Sequence, residues 1–232
     1  MKIKSIAIKS AGVMLALALA LSAVMFAGCG SKSTSTSSEQ EKTSAISASP
    51  KSTSTSGDAY EGDVAIPDNA VKGTITVKNY GDIEFALLPD IAPKTVANFE
   101  KLVKSGFYDG LTFHRIMDGF MIQGGDPLGT GMGGSEEKVE GEFSENGFDN
   151  KLSHVRGVMS MARSQDVNSA SSQFFIVHKD SQFLDGQYAA FGVVTKGMSV
   201  VDKIAADAKP TDGNGTISAE NQPVIEKITI NE

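Results

Sequence analysis

"FHRIMDGFMIQGGD", residues 113–126, places one arginine, one glutamine and several large apolar side chains in fourteen positions that otherwise read as strand and turn. Alternation along a strand predicts that Phe113 and Arg115 share one face, opposite His114 and Ile116. In "SQFFIVH", residues 172–178, the same rule sends Gln173, Phe175 and Val177 one way and Phe174 and Ile176 the other. One face of each strand then carries an aromatic ring beside a long hydrogen-bonding side chain. A surface arginine over an ordinary core would account for either strand alone. It accounts less well for two such strands followed by Phe120, Met121 and Gln123 after the turn.

Outward from this stretch, "GTITVKNYG" (73–81) and "DIEFALLPD" (82–90) alternate and read as a hairpin turning at Tyr80 and Gly81. "APKTVANFEKLVKSG" (92–106) predicts an amphipathic helix: Pro93 suits its first position, Val96, Phe99, Leu102 and Val103 line one side, and Gly106 suits the stop. A second helix is expected in "GMSVVDKIAAD" (197–207), where Met198, Val201, Ile204 and Ala205 recur at helical spacing. Further strand candidates are "LTFHRIM", "FMIQGG", "GVMSMA", "SQFFIVH", "YAAFGVV" and "VIEKITI". Eight strands and two helices between Asp63 and Glu232 suggest a mostly antiparallel barrel or sandwich with helices over its ends.

The first quarter of the chain reads differently. Lys2, Lys4 and Lys9 precede an apolar run from Ala11 to Gly28, the pattern of a secretory signal over residues 1–28. The run stops at Cys29, the only cysteine, so no internal disulfide is available. "FAGC" resembles the lipobox of bacterial lipoproteins, which implies a lipidated Cys29 and a membrane anchor on the extracytoplasmic face. Residues 29–62 are rich in serine and threonine with little to bury, and are expected to be a disordered tether. As a flexible coil, the 28 residues of its Ser/Thr-rich stretch 30–57 span roughly 30 Å. The folded domain is assigned to 63–232. Loss of residues 1–28 takes the net charge from −7 to −10, a poor balance for nucleic acid, and there is no basic stripe with interleaved aromatics.

The familiar catalytic signatures are missing. His114, His154 and His178 lie far apart without cysteine partners, so no metal site is expected. "GGDPLGTGMGGSEE" (124–137) lacks a following Gly-Lys-Ser/Thr and reads as a loop. "DGNGTISAE" (212–220) has Ile217 where a calcium loop needs glycine and Pro223 where it needs glutamate, so it reads as a surface turn. No serine stands in a nucleophile elbow.

Taken together, "FHRIMDGFMIQGGD", "GVMSMA", "SSQFFIV" and "FLDGQYAAFGVV" resemble, in order and spacing, the cyclophilin family of peptidyl-prolyl cis-trans isomerases, from about Gly73 to the C-terminus. The resemblance implies a closed eight-stranded antiparallel β-barrel capped by two α-helices. It implies that Arg115 is the catalytic arginine and that Phe120, Met121, Phe175 and Leu184 line a proline pocket. By the same resemblance Gln123 lies near the substrate backbone, Gln173 shapes the groove, and Ala162 and Arg163 lie along the peptide. Asp118 stands where the best-known members have proline, Arg163 where they have asparagine, Phe183 tryptophan and Tyr188 histidine. Lacking an indole N–H at Phe183, the chain is expected to bind cyclosporin weakly or not at all. Substrates would be X-Pro segments of unfolded or partly folded exported proteins, met by a monomer at the membrane surface. Rotation about a C–N bond breaks no bond, so neither metal nor cofactor is called for. The rival reading is a peptide-binding chaperone or scaffold with little turnover.

Overall fold

The computed structural model describes residues 64–231. The predicted signal segment, Cys29 and the tether lie outside the described residues.

Within them the chain runs β1 (Val71–Val77), β2 (Gly81–Leu87), α1 (Pro93–Lys104), β3 (Phe113–Met117), β4 (Met121–Gly124), β5 (Val158–Met161), β6 (Phe174–Val177), β7 (Ala190–Lys196), α2 (Met198–Asp207) and β8 (Ile225–Ile230). The strands form one antiparallel sheet in the order β3-β4-β6-β5-β7-β2-β1-β8. The first hairpin turns slightly earlier than its sequence suggests. Tyr80 N–H donates to Val77 O at 3.0 Å, Val77 pairs with Gly81, and Asn79 takes the left-handed conformation at φ 67°. Asparagine is among the few side chains that tolerate it.

The expected closed barrel is not formed as a continuous ladder. β3 and β8 end the sheet without a ladder between them; the chain meets there mainly just before the two strands, through the isolated bridge Thr112 to Val224, with Phe113 N–H donating to Pro223 O at 2.9 Å and Ile225 N–H to Leu111 O at 2.8 Å. The reason is a competing partner. The segment between α2 and β8 lies along the outer edge of β3, where Ile116 N–H donates to Gly215 O at 2.8 Å and Ile217 N–H to His114 O at 2.9 Å. Backbone groups that closure would have paired are thus satisfied by a loop.

α1 buries Val96, Phe99, Leu102 and Val103, the side read from the sequence, together with Thr95. Ala92, the residue before it, offers no side-chain cap. Glu142 caps from the far loop instead, accepting from Lys94 N–H at 2.9 Å, Thr95 N–H at 2.8 Å and the Thr95 hydroxyl at 2.7 Å. The helix stops at Gly106, φ 71°, with Phe107 N–H returning to Leu102 O. α2 buries Met198, Val201, Ile204 and Ala205.

Both helices contribute to the larger of two apolar clusters, built around Phe99, whose ring lies 5.0 to 6.1 Å from those of Phe85, Tyr108, Phe174 and Phe191. The smaller cluster, with Met121, Phe175, Val177, Leu184 and Val193, packs on the opposite side of the sheet. β6 divides between them as alternation predicts: Phe174 and Ile176 to the first, Phe175 and Val177 to the second. The pocket described next opens over the second.

Candidate active site

β3 departs from simple alternation, and the departure aims the arginine. Phe113 and Ile116 both enter the larger core, whereas Arg115 turns away from it toward Met117 and Phe120. A register shift against β4 between Phe113 and Arg115 causes this. The extra residue of a β-bulge resets which side each later side chain takes. The expectation that Phe113 and Arg115 share a face is therefore wrong, and His114 and Arg115 line the same pocket.

That pocket has a volume of about 270 Å³. Phe120, Met121, Phe175 and Leu184 supply apolar wall, and Arg115, Gln123, Arg163 and Tyr188 supply polar edges. Arg115 is held from several directions. Its Nε–H donates to Asn214 O at 2.7 Å, Nη1 to Gln123 Oε1 at 3.0 Å and Nη2 to the Met117 sulfur at 3.2 Å, while the guanidinium carbon stands 5.9 Å from the Phe120 ring centre. Burial lowers its proton affinity, opposed by Tyr188 and Asp212. A guanidinium remains a cation under such a shift.

The amides form a relay. Gln123 Oε1 accepts a hydrogen bond from Arg115 Nη1, so Gln123 Nε2 must face Gln173, donating to its Oε1 at 2.9 Å. Gln173 Nε2 donates in turn to the carbonyls of Gly131 at 3.0 Å and Gly133 at 2.7 Å. This direction leaves Gln123 one amide hydrogen free to meet a backbone carbonyl. The loop at the end of the relay is pinned by buried Asp126, whose carboxylate accepts from the backbone N–H of Leu128 at 2.8 Å, Thr130 at 3.0 Å and Gly131 at 2.6 Å. Burial alone would raise the Asp126 pKa, but these backbone donors outweigh it and bring the carboxyl below its ordinary value.

Behind the pocket, His154 stacks on Phe175 with ring centres 6.1 Å apart. Its Nδ1–H donates to Asp185 Oδ1 at 2.8 Å, and Nε2 accepts from the Ser160 hydroxyl at 2.9 Å. Ser160 is fully buried, so this chain positions Phe175 and does not present a nucleophile. Burial holds His154 below its ordinary pKa against the opposing pull of Asp185.

Arg115, Phe120, Met121, Gln123, Ala162, Arg163, Phe175, Leu184 and Tyr188 are thus brought together around one pocket. Gln173 stands behind the lining and acts through Gln123. Phe183 stands outside it, 67% exposed, with its ring 5.5 Å from that of Phe120. His114, Thr130, Gly131 and Thr216 also line the pocket and were not singled out by sequence. The bulge hid His114, and the other three sit on loops without periodicity. His114 is 4% exposed with no protein partner for either ring nitrogen. Gln173 approaches it, but its amide hydrogens are already given to Gly131 and Gly133. Burial lowers the His114 pKa and favours the neutral ring.

Asp118 acquires an explanation. Phe120 N–H closes a turn on Met117 O at 3.0 Å, and Gly119 has φ 74°. Asp118 therefore occupies the second position of a type II turn, where proline also fits. His178 supports that turn by accepting from Gly119 N–H at 3.0 Å, and its Nε2 meets Asp202 at 3.0 Å.

Residues 73–232 match the family described as cyclophilin type peptidyl-prolyl cis-trans isomerase/CLD. A probable peptidyl-prolyl cis-trans isomerase of Brucella suis is 39% identical over 199 residues, covering 80% of this chain and 94% of that protein. Peptidyl-prolyl cis-trans isomerase B of Bacillus subtilis is 46% identical over 126 residues, covering 54% of this chain and 85% of its own length. Among solved structures, a Cryptosporidium parvum cyclophilin type peptidyl-prolyl cis-trans isomerase, crystallised in the presence of the dipeptide Ala-Pro, aligns with a TM-score of 0.61. It shares 33% identity and covers 69% of this chain and 99% of that one.

Proposed function

The chain belongs to the cyclophilin-type peptidyl-prolyl cis-trans isomerases, and from that premise we propose that Arg115 lowers the rotation barrier while Phe120, Met121, Phe175 and Leu184 grip the proline ring. An X-Pro bond turns slowly because its partial double-bond character imposes a barrier of about 18–20 kcal/mol. At the top of that barrier the bond is twisted, and the nitrogen lone pair is no longer delocalised into the carbonyl. A fixed cationic donor aimed at this lone pair interacts more strongly with the twisted form than with either planar isomer, and that difference is catalysis.

The observation that carries the proposal is the restraint on Arg115 by Asn214 O and Gln123 Oε1, with its other contacts to thioether sulfurs. Sulfur is a weak acceptor, which a developing lone pair can displace. The free amide hydrogen of Gln123 holds the neighbouring substrate carbonyl and sets the twist axis. Arg115→Ala is expected to lower kcat/KM for an Ala-Pro peptide at least tenfold, about 1.4 kcal/mol of barrier, with a native circular dichroism spectrum. Undiminished turnover in that variant would remove Arg115 from the mechanism.

The setting belongs to the same proposal. The Ala11–Gly28 run, the lone Cys29 and the Ser/Thr-rich residues after it support a lipid-anchored monomer that speeds proline-limited folding of exported proteins at the outer face of a membrane. Phe183, lacking an N–H donor, supports weak cyclosporin binding. Mass spectrometry of the membrane fraction is expected to find Cys29 acylated, and an unmodified thiol there would overturn the anchor.

A further inference from the structure

Arg163 follows β5 at the edge of the pocket, and its guanidinium is more firmly held than a surface cation. Nε–H donates to Gln187 O at 2.9 Å, and Nη1 donates to Ser164 O at 2.9 Å and Gln165 O at 3.4 Å. The guanidinium carbon lies 5.1 Å from the Phe143 ring centre and 5.0 Å from that of Tyr188. Three of five N–H groups are thereby spent on backbone carbonyls. Among the described residues Nη2 has no acceptor and no carboxylate pairs with Arg163. The pocket lining as a whole contains two arginines and neither aspartate nor glutamate. In a chain of net charge −7 this is a local reversal of sign, set against apolar walls that strengthen the field inside a cleft.

We propose that Arg163 is a specificity-determining residue, selecting X-Pro segments that carry an acidic side chain within three residues of the proline. The proposal rests on the assignment of the pocket to proline. The reach follows from geometry. Phe175, on the proline wall, is 6.0 Å from Tyr188, and Tyr188 is 5.0 Å from Arg163. Those two steps cap the separation at about 11 Å, roughly three residues of extended chain. Beyond about 10 Å the negative charge of the domain is largely screened at ordinary salt, whereas a carboxylate seated on Nη2 is not. Selection therefore arises at contact, after long-range repulsion has faded. Arginine suits the task because its guanidinium keeps its charge while held, and an unspent Nη2 hydrogen gives a carboxylate oxygen a charge-assisted hydrogen bond.

The test is a set of Ala-Pro peptides differing only by Glu, Gln or Lys at one position within three residues of the proline. Turnover is read by NMR exchange, which needs no coupling protease, and affinity by chemical-shift titration. At one position at least, the wild-type protein is expected to prefer Glu over Lys fivefold or more in affinity and kcat/KM. In Arg163→Gln that ratio should collapse toward one, and in Arg163→Glu it should invert. A Glu/Lys ratio within twofold at every position, or a preference that persists in Arg163→Gln, overturns the proposal. If Arg163→Gln loses its native amide spectrum, wild type decides: a preference that vanishes at about 0.5 M NaCl, where only charges in contact still act, overturns it. Absence of turnover on the neutral Gln peptides counts against the isomerase reading of the pocket, and the affinity ratio still decides the role of Arg163.

Discussion

His154 and His114 tie the pocket to pH. Both rings are buried and both are held below the ordinary histidine value near 6.5, chiefly by desolvation. The folded state therefore prefers the neutral ring. As pH falls through about 6.5 the unfolded chain takes up protons first, so stability present above that point is lost on the way down. Each ring can contribute up to about 1.4 kcal/mol per pH unit on this limb. The urea midpoint is expected to be flat above neutrality and to decline below pH 6.5, and His114→Gln should make the decline shallower. An equally steep decline in that variant would mean that His114 does not titrate with folding. Desolvation, complete at buried Asp126 and partial at the more exposed Asp185, would raise both carboxyls, yet both lie below the ordinary value, held by donors from the 128–133 loop and by Ser153 and His154. Their contribution is present above about pH 3.9 and is lost as pH falls through their lower folded values, a second and more acidic step.

Secondary structure was readable from the chain wherever one periodicity ran undisturbed. The buried sides of α1 and α2 and the division of β6 between two clusters follow directly from spacing. β3 resisted because a bulge adds one residue to a period of two, and nothing local in "LTFHRIM" marks where it falls. The N-terminal cap of α1 resisted for a different reason: its acceptor comes from Glu142, which lies 47 and 48 residues from the backbone groups it caps. Glu142→Ala leaves two backbone N–H groups and a hydroxyl without that acceptor. It should cost about 1–3 kcal/mol, the range for a charged or buried hydrogen-bonding group left unmatched. The expected readout is a lower urea midpoint together with faster amide exchange at Lys94 and Thr95. Unchanged exchange at those two amides would show that the helix end is secured otherwise. Of the pocket, the strand-borne members Arg115, Met121 and Phe175 were legible as side chains at odds with a plain sheet. Gln123 joins them on β4 and Phe120 needed the turn, whereas Thr130, Gly131 and Thr216 arrive on loops whose paths depend on long-range hydrogen bonds.

At the scale of the molecule, the sheet order joins the ends of the described chain, with β1 beside β8, and leaves β3 at the other margin. The segment before β8 then meets β3, so Asn214 O holds Arg115 from 99 residues downstream and Thr216 lines the pocket. A count of strands could foresee the elements but not this substitution of a loop for a closing ladder. A Cys29→Ser chain should leave the membrane fraction and still turn over Ala-Pro peptides, because every lining residue lies between His114 and Thr216. Loss of turnover with loss of the anchor would mean that the N-terminal segment takes part in the site. The loop on the β3 edge also sets an order of events in synthesis. Domains fold as their chains emerge from the N-terminal side, and contacts this distant in sequence are slow to form. A growing chain that has released Arg115, Phe120 and Phe175 still lacks the carbonyl that holds the arginine and the strand that fixes that carbonyl in place. On the proposed mechanism, catalytic competence therefore waits for the segment around Asn214 and for β8, so a chain terminated before Asn214 is expected to be inactive even when most of its sheet has formed.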